Sequence, residues 1–162
     1  MLHYQVPEVD GSKNADQIRS LNLEASVFPP LEDRHFKDGF WWFVCHQSKV
    51  VGFAGIVPWT PFRDVGYFKR AYIQDGHRGH GLQFRLMEKR LEKAYDLGWR
   101  QVTSDCHKDN VHSANNFIKA GFKRCDPEQK WAGQDDIYWE KTIREHVYEN
   151  IPRGAYDRYC GR

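Results

Sequence analysis

The chain has 162 residues and a net charge of +2 with histidine counted as neutral. This length suits one domain with a sizeable core, and the near balance of charge argues against a protein devoted to nucleic acid, which usually carries a basic bias. The cysteines, at positions 45, 106, 125 and 160, form no Cys-x-x-Cys pair, so we expect no metal site. Neither a signal-peptide pattern nor a membrane-spanning apolar stretch is found, and we expect a cytoplasmic protein with reduced thiols and no membrane contact.

The N-terminal half of the chain alternates helical patterns with apolar, strand-like runs. Residues 15–27 carry apolar positions at helical spacing after Asn14, a candidate N-cap. The runs at 40–45 and 50–57 flank a short polar turn and predict a β-hairpin. The other predicted elements of this half are a strand at 3–6, a short helix or loop at 31–39 and a strand at 66–73.

The C-terminal half is predicted to begin with an amphipathic helix from Leu82 to about residue 97, which Gly98 ends. The polar face of this helix is predicted to consist of Glu88, Lys89, Arg90, Glu92 and Lys93. The remaining predicted elements are a strand at 100–106, a short helix at 110–119 and strands at 122–124 and 136–142. This order of elements predicts a mixed α/β (α+β) fold with helices on the faces of one sheet.

A glycine-rich turn, Arg78-Gly79-His80-Gly81-Leu82-Gln83, connects the strand at 66–73 to the amphipathic helix. Backbone N–H groups at the N-terminus of a helix form a site for phosphate. The turn lacks the third glycine of a dinucleotide fingerprint and the Gly-Lys-Ser/Thr ending of a Walker loop. Two glycines alone are also compatible with an ordinary tight turn, so the surrounding sequence has to decide between the two interpretations.

The turn resembles the signature Gln/Arg-x-x-Gly-x-Gly/Ala of the GNAT superfamily of N-acetyltransferases. The upstream Ala71-Tyr72-Ile73 stands at the place of the Leu-Tyr-Val strand end of that superfamily. Its downstream pattern of Asn-x-x-Ala, Tyr and Gly-Phe is matched in spacing by Asn110, Ser113, Phe117 and Gly121-Phe122. The resemblance covers residues 40–142 in element order and is specific across residues 66–122.

This resemblance implies a central, largely antiparallel twisted sheet with helices on both faces. It implies a single acetyltransferase domain over residues 1–143, followed by a C-terminal extension, residues 144–162, of unknown role. The implied activity is direct transfer of an acetyl group from acetyl-CoA to a primary amine of a small molecule or a protein, by a monomer or a homodimer. The thioester would lie in a gap between the strands at 66–73 and 100–106, with a backbone N–H near Tyr72 on its oxygen.

The resemblance also implies which residues hold coenzyme A. The pyrophosphate would lie against the glycine-rich turn, at the positive end of the following helix. The implied cofactor-binding residues are Ala71, Tyr72, Ile73, Arg78, Gly79, His80, Gly81, Leu82, Gln83, Asn110, Ser113 and Phe117.

The chain departs from the family pattern at the positions that carry proton transfer. Phe117 stands where a tyrosine is commonly the general acid, and phenylalanine has no proton to donate. The strand at 66–73 also lacks the carboxylate that some members use as a base. Asp105 and His107 are therefore the candidate bases, with a relay through water as the alternative, and Tyr67 and Tyr72 are the candidate proton donors. Cys106 is not expected to act as a nucleophile, because its neighbour His107 would point to the opposite face of a strand.

The acceptor is expected to contact the loops at 26–40 and 59–64, where Glu32, His35 and Trp59 are the candidate substrate-binding residues. Two other functions stay open. Phe117 and Gln83, which replaces a small residue of the signature, favour a non-catalytic acyl-CoA-binding or regulatory module. A toxin-like acetyltransferase of aminoacyl-tRNA would require a contiguous basic face, for which the candidates are Lys69, Arg70, Arg85, Lys89, Arg90 and Lys93.

Overall fold

A computed structural model describes residues 3–59 and 62–144 of the chain. In chain order, its elements are β1 (Glu8–Val9), α1 (Ala15–Ala25), α2 (Asp33–Asp38), β2 (Phe40–His46), β3 (Lys49–Pro58), β4 (Val65–Ile73), a 3₁₀ helix (Asp75–His77), α3 (Leu82–Asp96), β5 (Gln101–His107), α4 (Val111–Lys119), β6 (Lys123–Cys125) and β7 (Asp136–Thr142). None of the described helices combines the length and the apolar content that crossing a membrane requires. Of the predicted C-terminal extension, all but Arg144 lies outside the described residues.

The predicted order of elements is found, and the differences lie near the N-terminus. The first strand is Glu8–Val9, while the predicted strand at 3–6 contributes a single bridge, between Gln5 and Cys45. Pro7 separates the two segments and has no N–H to continue the ladder. Helix α1 ends at Ala25, two residues earlier than predicted, because Ser26 adopts a left-handed conformation with a φ of 58°. Asn14 precedes α1 as predicted, but its side chain caps no helical N–H and donates to the Asp10 carbonyl instead.

The seven strands form one sheet in the order β1-β2-β3-β4-β5-β7-β6. Every pairing is antiparallel except that between β4 and β5, so the sheet is largely antiparallel as expected. Helices α1 and α2 pack on one face, against the inward side chains of β2 and β3 such as Trp41 and Phe53. Helices α3 and α4 pack on the other face, against residues such as Trp42 and Phe68. The expected mixed α/β architecture with helices on both faces is thus confirmed.

The two central strands separate partway along their length. Strands β4 and β5 pair only where Val65, Gly66 and Tyr67 lie opposite residues 101–103, and no pairing continues beyond Tyr67. On its other side, β4 carries a bulge, because the register against β3 shifts between Ala54 and Gly55 and leaves Arg70 as the extra residue with a φ of 63°. A bulge bends its strand and strengthens the local twist. The result is a gap between β4 and β5 that opens from Phe68 onward.

Arg90 holds the bulge from inside the core. The sequence pattern placed this residue on the polar face of α3, but its side chain is 2% exposed, so that prediction is wrong. Arg90 lies one helical turn after Leu86 and one before Ala94, and this spacing puts it on the buried stripe. Its Nη1 donates to the carbonyl oxygens of Gly55 (3.3 Å) and Arg70 (3.2 Å), and its Nε donates to that of Leu86 (3.1 Å).

Replacement of Arg90 by methionine should therefore destabilise the protein. Arg90→Met keeps most of the side-chain volume but leaves the bulge carbonyls without their buried donor, which typically costs roughly 1–3 kcal/mol. Urea unfolding of Arg90→Met and of Lys89→Met, a matched substitution of an exposed neighbour, measures the difference. The control should stay within about 0.5 kcal/mol of the unmodified chain. Equal midpoints for both variants would show that the bulge does not depend on the guanidinium.

Candidate active site

The glycine-rich turn presents unsatisfied backbone donors at the start of α3. Gly79 and Gly81 have φ values of +82° and +70°, and a Cβ added at either residue would meet nothing within 4 Å. Glycine adopts this left-handed conformation without the steric cost that other residues incur. No side chain caps α3, and the N–H groups of residues 81–84 find no acceptor within the described part of the chain. Four such N–H groups at the positive end of a helix dipole can bind an anion.

The side chains of the turn divide between solvent and core. Arg78 is exposed, with its Nη1 at 2.9 Å from the Asp75 carboxylate and its Nε donating to the Ile73 carbonyl at 3.0 Å. The exposed His80 ring lies 5.5 Å from the ring of Tyr4, whereas Leu82 is buried in the core and Gln83 is half-buried. The Arg78 side chain thus connects the turn to the end of β4 through the Ile73 carbonyl, and residues 78–81 of the turn are exposed to solvent.

At the gap, the backbone of β4 carries two further donors. The N–H of Gln74 donates to the Val51 carbonyl at 2.9 Å, toward β3. Backbone N–H groups of successive residues in a strand point to opposite sides, so the N–H of Tyr72 also points toward β3. The N–H groups of Ala71 and Ile73 therefore point toward β5, into the gap. The hydroxyl of Tyr72 donates to the carboxylate of Glu24 on α1, at 3.2 Å. It is thus not brought to Asp105, the candidate base.

Helix α4 borders the gap on the α3 side of the sheet. Its N-cap is Asn110, whose side-chain oxygen accepts from the N–H of Ser113 at 3.1 Å. Phe117 is 4% exposed and stacks on Trp139, with ring centroids 5.4 Å apart. It also contacts the rings of Phe68 and Phe122, at 6.4 Å and 5.1 Å. Phe117 therefore forms part of an aromatic cluster that lines the gap without offering a proton.

Two candidate catalytic residues meet on the opposite face of the sheet. The hydroxyl of Tyr67 on β4 and Nε1 of Trp131, the latter at 2.9 Å, both donate to the same oxygen of Asp105 on β5, Oδ1. Its other oxygen, Oδ2, accepts no hydrogen bond from the described residues. Burial raises the pKa of Asp105, although the two donors partly oppose this change. Burial and the neighbouring carboxylate raise the pKa of Tyr67 well above its usual value, so Tyr67 stays protonated.

Aromatic side chains from three loops and strands surround this carboxylate. Trp59, a predicted substrate-binding residue, stacks on Tyr67 with ring centroids 4.8 Å apart and lies 5.0 Å from Trp131. Trp131 in turn meets Tyr138 of β7 edge to face at 4.5 Å. Sequence reasoning did not single out Trp131, because it lies in the connection between β6 and β7, which has no periodic pattern. These rings reduce the access of water to Asp105 and so strengthen its electrostatic interactions.

The two other predicted substrate-binding residues lie at the start of α2. Glu32 is exposed and accepts two hydrogen bonds from Arg34, which lower its pKa. His35 is 8% exposed, and its Nδ1 accepts from the N–H of Glu32 at 3.0 Å. Burial and the nearby Lys69 lower the pKa of His35 to about 4, so His35 is neutral at pH 7. Lys69 of β4 lies close enough to Glu32, His35 and Asp105 to interact electrostatically with each of them.

His107 and Cys106 take no part in this cluster. His107 is exposed at the end of β5, and its Nδ1 accepts from the N–H of Asp109 at 3.2 Å. The Cys106 thiol faces the opposite side of the sheet, where Nε1 of Trp139 lies at 3.3 Å. Burial raises the pKa of this thiol, which disfavours the thiolate that a nucleophile requires.

The sequence and the fold both match known acetyltransferases. The sequence model of the Acetyltransferase (GNAT) family matches residues 14–122. No protein with a curated description matches the chain significantly. The protein belongs to the GNAT family, and as a member it is an N-acetyltransferase that uses acetyl-CoA.

Solved structures support this assignment at the level of the fold. One is yncA, a proposed acetyltransferase from Salmonella typhimurium solved with its cofactor acetyl-CoA, with a TM-score of 0.73, 16% identity and coverage of 93% of this chain and 99% of the other. An N-acetyltransferase from Staphylococcus aureus has a TM-score of 0.71, 14% identity and coverage of 88% and 99%. A ribosomal-protein-alanine N-acetyltransferase from Brucella melitensis has a TM-score of 0.68, 16% identity and coverage of 85% and 99%.

The hydrogen bond from Tyr67 predicts the direction in which a substitution changes the pKa of Asp105. In Tyr67→Phe the carboxylate loses a donor that favours its charged form, so the pKa of Asp105 should rise further. Carbon-13 NMR titration of the Asp105 carboxyl group measures this change. Tyr72→Phe is the matched control, because its hydroxyl donates to Glu24, and it should leave the titration of Asp105 unchanged. A lower pKa in Tyr67→Phe would contradict the described contact.

Proposed function

We propose that the protein transfers the acetyl group directly from acetyl-CoA to a primary amine, with Asp105 as the group that accepts the amine proton. The observation that carries this proposal is the half-buried Asp105, whose Oδ1 accepts from two internal donors while its Oδ2, beside the gap between β4 and β5, accepts no hydrogen bond from the described residues. A primary amine is mostly protonated at pH 7 and has to lose a proton before it can attack.

The residues present fit acetyl-CoA, and we assign them as follows. The N–H groups of residues 81–84 hold the pyrophosphate, and Gly79 and Gly81 let it approach the backbone because they leave the space beside the turn open. Arg78 adds a positive charge at the same place. The remaining assigned contacts are Ala71, Tyr72, Ile73, His80, Leu82, Gln83, Asn110, Ser113 and Phe117. When bound, acetyl-CoA supplies the acetyl group as a thioester, whose sulfur is a good leaving group.

The chain itself supplies charge stabilisation and proton transfer. The N–H groups of Ala71 and Ile73 point into the gap, where they can donate to an oxygen that gains negative charge. On the other face, Oδ2 of Asp105 can accept the proton of the amine, and its raised pKa makes it a stronger base than an exposed aspartate. Tyr67 and Trp131 fix the orientation of the carboxylate. We assign no proton-transfer step to Tyr72, because its hydroxyl is directed to Glu24.

The contacts of the basic residues do not favour the alternative of an aminoacyl-tRNA substrate. The six candidate cations share no surface, because Arg90 is buried, and Lys69 and Arg70 lie on the α1 side of the sheet while α3 covers the other. Of those on α3, Lys93 pairs with Glu8 at 2.9 Å. The acceptor is therefore proposed to be a small molecule or a protein amino group. A cytoplasmic location, a monomeric or homodimeric state and a single domain over residues 1–143 remain predictions from the sequence.

The pH dependence of the reaction tests the role of Asp105. Asp105→Asn removes the base, and kcat/KM for an accepted amine should fall about 100-fold or more at pH 7. In the unmodified chain, kcat/KM should rise as Asp105 loses its proton, at a pH above the ordinary value of 3.8 because burial raises the pKa. This acid limb should be absent from Asp105→Asn and preserved in Asp96→Asn, a control at the far end of α3. An unchanged acid limb in Asp105→Asn would rule out Asp105 as the base.

Two glycine substitutions separate cofactor binding from backbone strain. Gly81→Ala and Gly98→Ala both place a Cβ at a positive φ, +70° and +75°, and in neither case does the Cβ meet a neighbouring atom. Both should lower the unfolding free energy by about 1 kcal/mol. Only Gly81→Ala should weaken acetyl-CoA binding, by about tenfold or more, as measured by isothermal titration calorimetry. Equal losses of affinity in the two variants would show that the turn does not hold the cofactor.

A further inference from the structure

Lys69 is a half-buried cation for which the described part of the chain provides no hydrogen-bond acceptor. Its side chain leaves β4 on the α1 side of the sheet, and Nζ lies 5.6 Å from the ring centroid of Tyr67. Within residues 3–59 and 62–144, the ammonium group makes no hydrogen bond and no ion pair. Lys93 provides the contrast, because it is also half-buried but has the carboxylate of Glu8 at 2.9 Å. A buried ammonium group without such a partner is unfavourable, and an anionic ligand would relieve this cost.

The charged neighbours of Lys69 do not neutralise it. The pKa of Lys69 is lowered to about 8, mainly by burial and then by the positive charges of Arg70 and Arg34. Two carboxylates act in the opposite direction, but Glu32 already accepts two hydrogen bonds from Arg34, and Asp105 accepts two through Oδ1. His35 is neutral at pH 7. A positive potential therefore remains at Lys69, on the side of the sheet where Oδ2 of Asp105 accepts no hydrogen bond from the described residues.

We propose that the acceptor is an amine that carries its own anionic group, as an amino acid does, and that Lys69 binds this group while Asp105 receives the amine. The inference rests on the proposed function, since it names the substrate class of the same site. The two side chains lie on one face of the sheet, and Tyr67 joins them, because its ring contacts Lys69 and its hydroxyl binds Asp105. A ligand that carries both an ammonium group and an anionic group would pair the ammonium with Asp105 and the anion with Lys69.

The phosphates of the cofactor do not account for the positive charge at Lys69. The donors assigned to the pyrophosphate lie at the N-terminus of α3, which packs on the face of the sheet that carries Phe68. Lys69 follows Phe68 in β4 and leaves the strand on the other face, toward α2. Its charge thus belongs to the side from which an acceptor approaches Asp105.

Matched acids and amides test the inference. The purified protein is given acetyl-CoA together with α-, β- and γ-amino acids and with the corresponding carboxamides, and release of the coenzyme A thiol is recorded. We expect kcat/KM to be at least tenfold higher for one class of acids than for its amides. Lys69→Met should reduce this acid-to-amide ratio about tenfold, mainly through KM, whereas Lys69→Arg should retain part of it. Lys89→Met, the same change at an exposed site on α3, should preserve the ratio.

A binding measurement distinguishes failure of the inference from failure of the proposed function. Calorimetric titration of the protein–coenzyme A complex should show binding of the preferred acid, and Lys69→Met should weaken it about tenfold. If amides react as well as acids, or if Lys69→Met keeps the ratio, the inference is overturned while the proposed function stands. If an acid binds in a Lys69-dependent manner but no amine is acetylated, the proposed function is overturned, and of the inference only the anion site at Lys69 stands. If acetyl-CoA binds but no acid binds or reacts, the inference is overturned, and acetylation of the carboxamides then decides whether the proposed function stands.

Discussion

The geometry of the candidate site depends on the guanidinium of Arg90. A bulge leaves backbone groups outside the ladder, and the carbonyl oxygens of Arg70 and Gly55 receive their donor from Arg90, across the core. Burial lowers the pKa of this guanidinium to about 9, so it still carries its charge at neutral pH, and none of the described carboxylates forms an ion pair with it. Three carbonyl oxygens and the ring of Phe68, 3.8 Å from the guanidinium carbon, replace the lost hydration. The planar guanidinium holds its donors in a fixed arrangement and is weakly hydrated, whereas the ammonium group of a lysine is strongly hydrated and loses its charge more readily when it is buried.

The bulge matters because it occurs where β4 leaves β5. Before the bulge, Tyr67 still pairs with Thr103 in parallel register. After it, Ala71 and Ile73 direct their N–H groups into the region where β4 and β5 no longer pair. Side chains alternate across this boundary, so Phe68 joins the aromatic cluster around Phe117 while Tyr67 reaches Asp105 on the other face. The gap thus separates an apolar side suited to a cofactor arm from a polar side suited to proton transfer. The absence of a hydroxyl at Phe117 fits this division, since a thiolate leaves readily without a proton donor.

The apolar patterns and one motif predicted most of the fold, whereas contacts between distant segments could not be predicted. Strands β2, β3 and β4 and helix α3 were found within a residue or two of their ends, because long apolar runs and helical periodicity are local signals. Asp105 and Tyr67 were predicted as separate candidates, but the contact between them joins residues 38 positions apart and depends on the register of two strands. Trp131 could not be predicted because it lies in a loop without periodicity. Arg90 was assigned to the polar face of α3 because it is charged, although its spacing from Leu86 and Ala94 places it on the buried face. For Lys69, the alternation of side chains along β4 was the sequence signal that could have placed it on the same face of the sheet as Tyr67.

The two titrating groups of the acceptor side are shifted in opposite directions by the same surroundings. Burial raises the pKa of Asp105 and lowers that of Lys69, so each group is held away from its charged form. Two such groups that lay in contact would instead stabilise each other's charge and reverse both shifts. Asp105 does favour the charge on Lys69, but less than Arg70 and Arg34 oppose it. A ligand that brings an ammonium to one group and an anion to the other would supply both missing charges at once, and its binding would move the two pKa values apart.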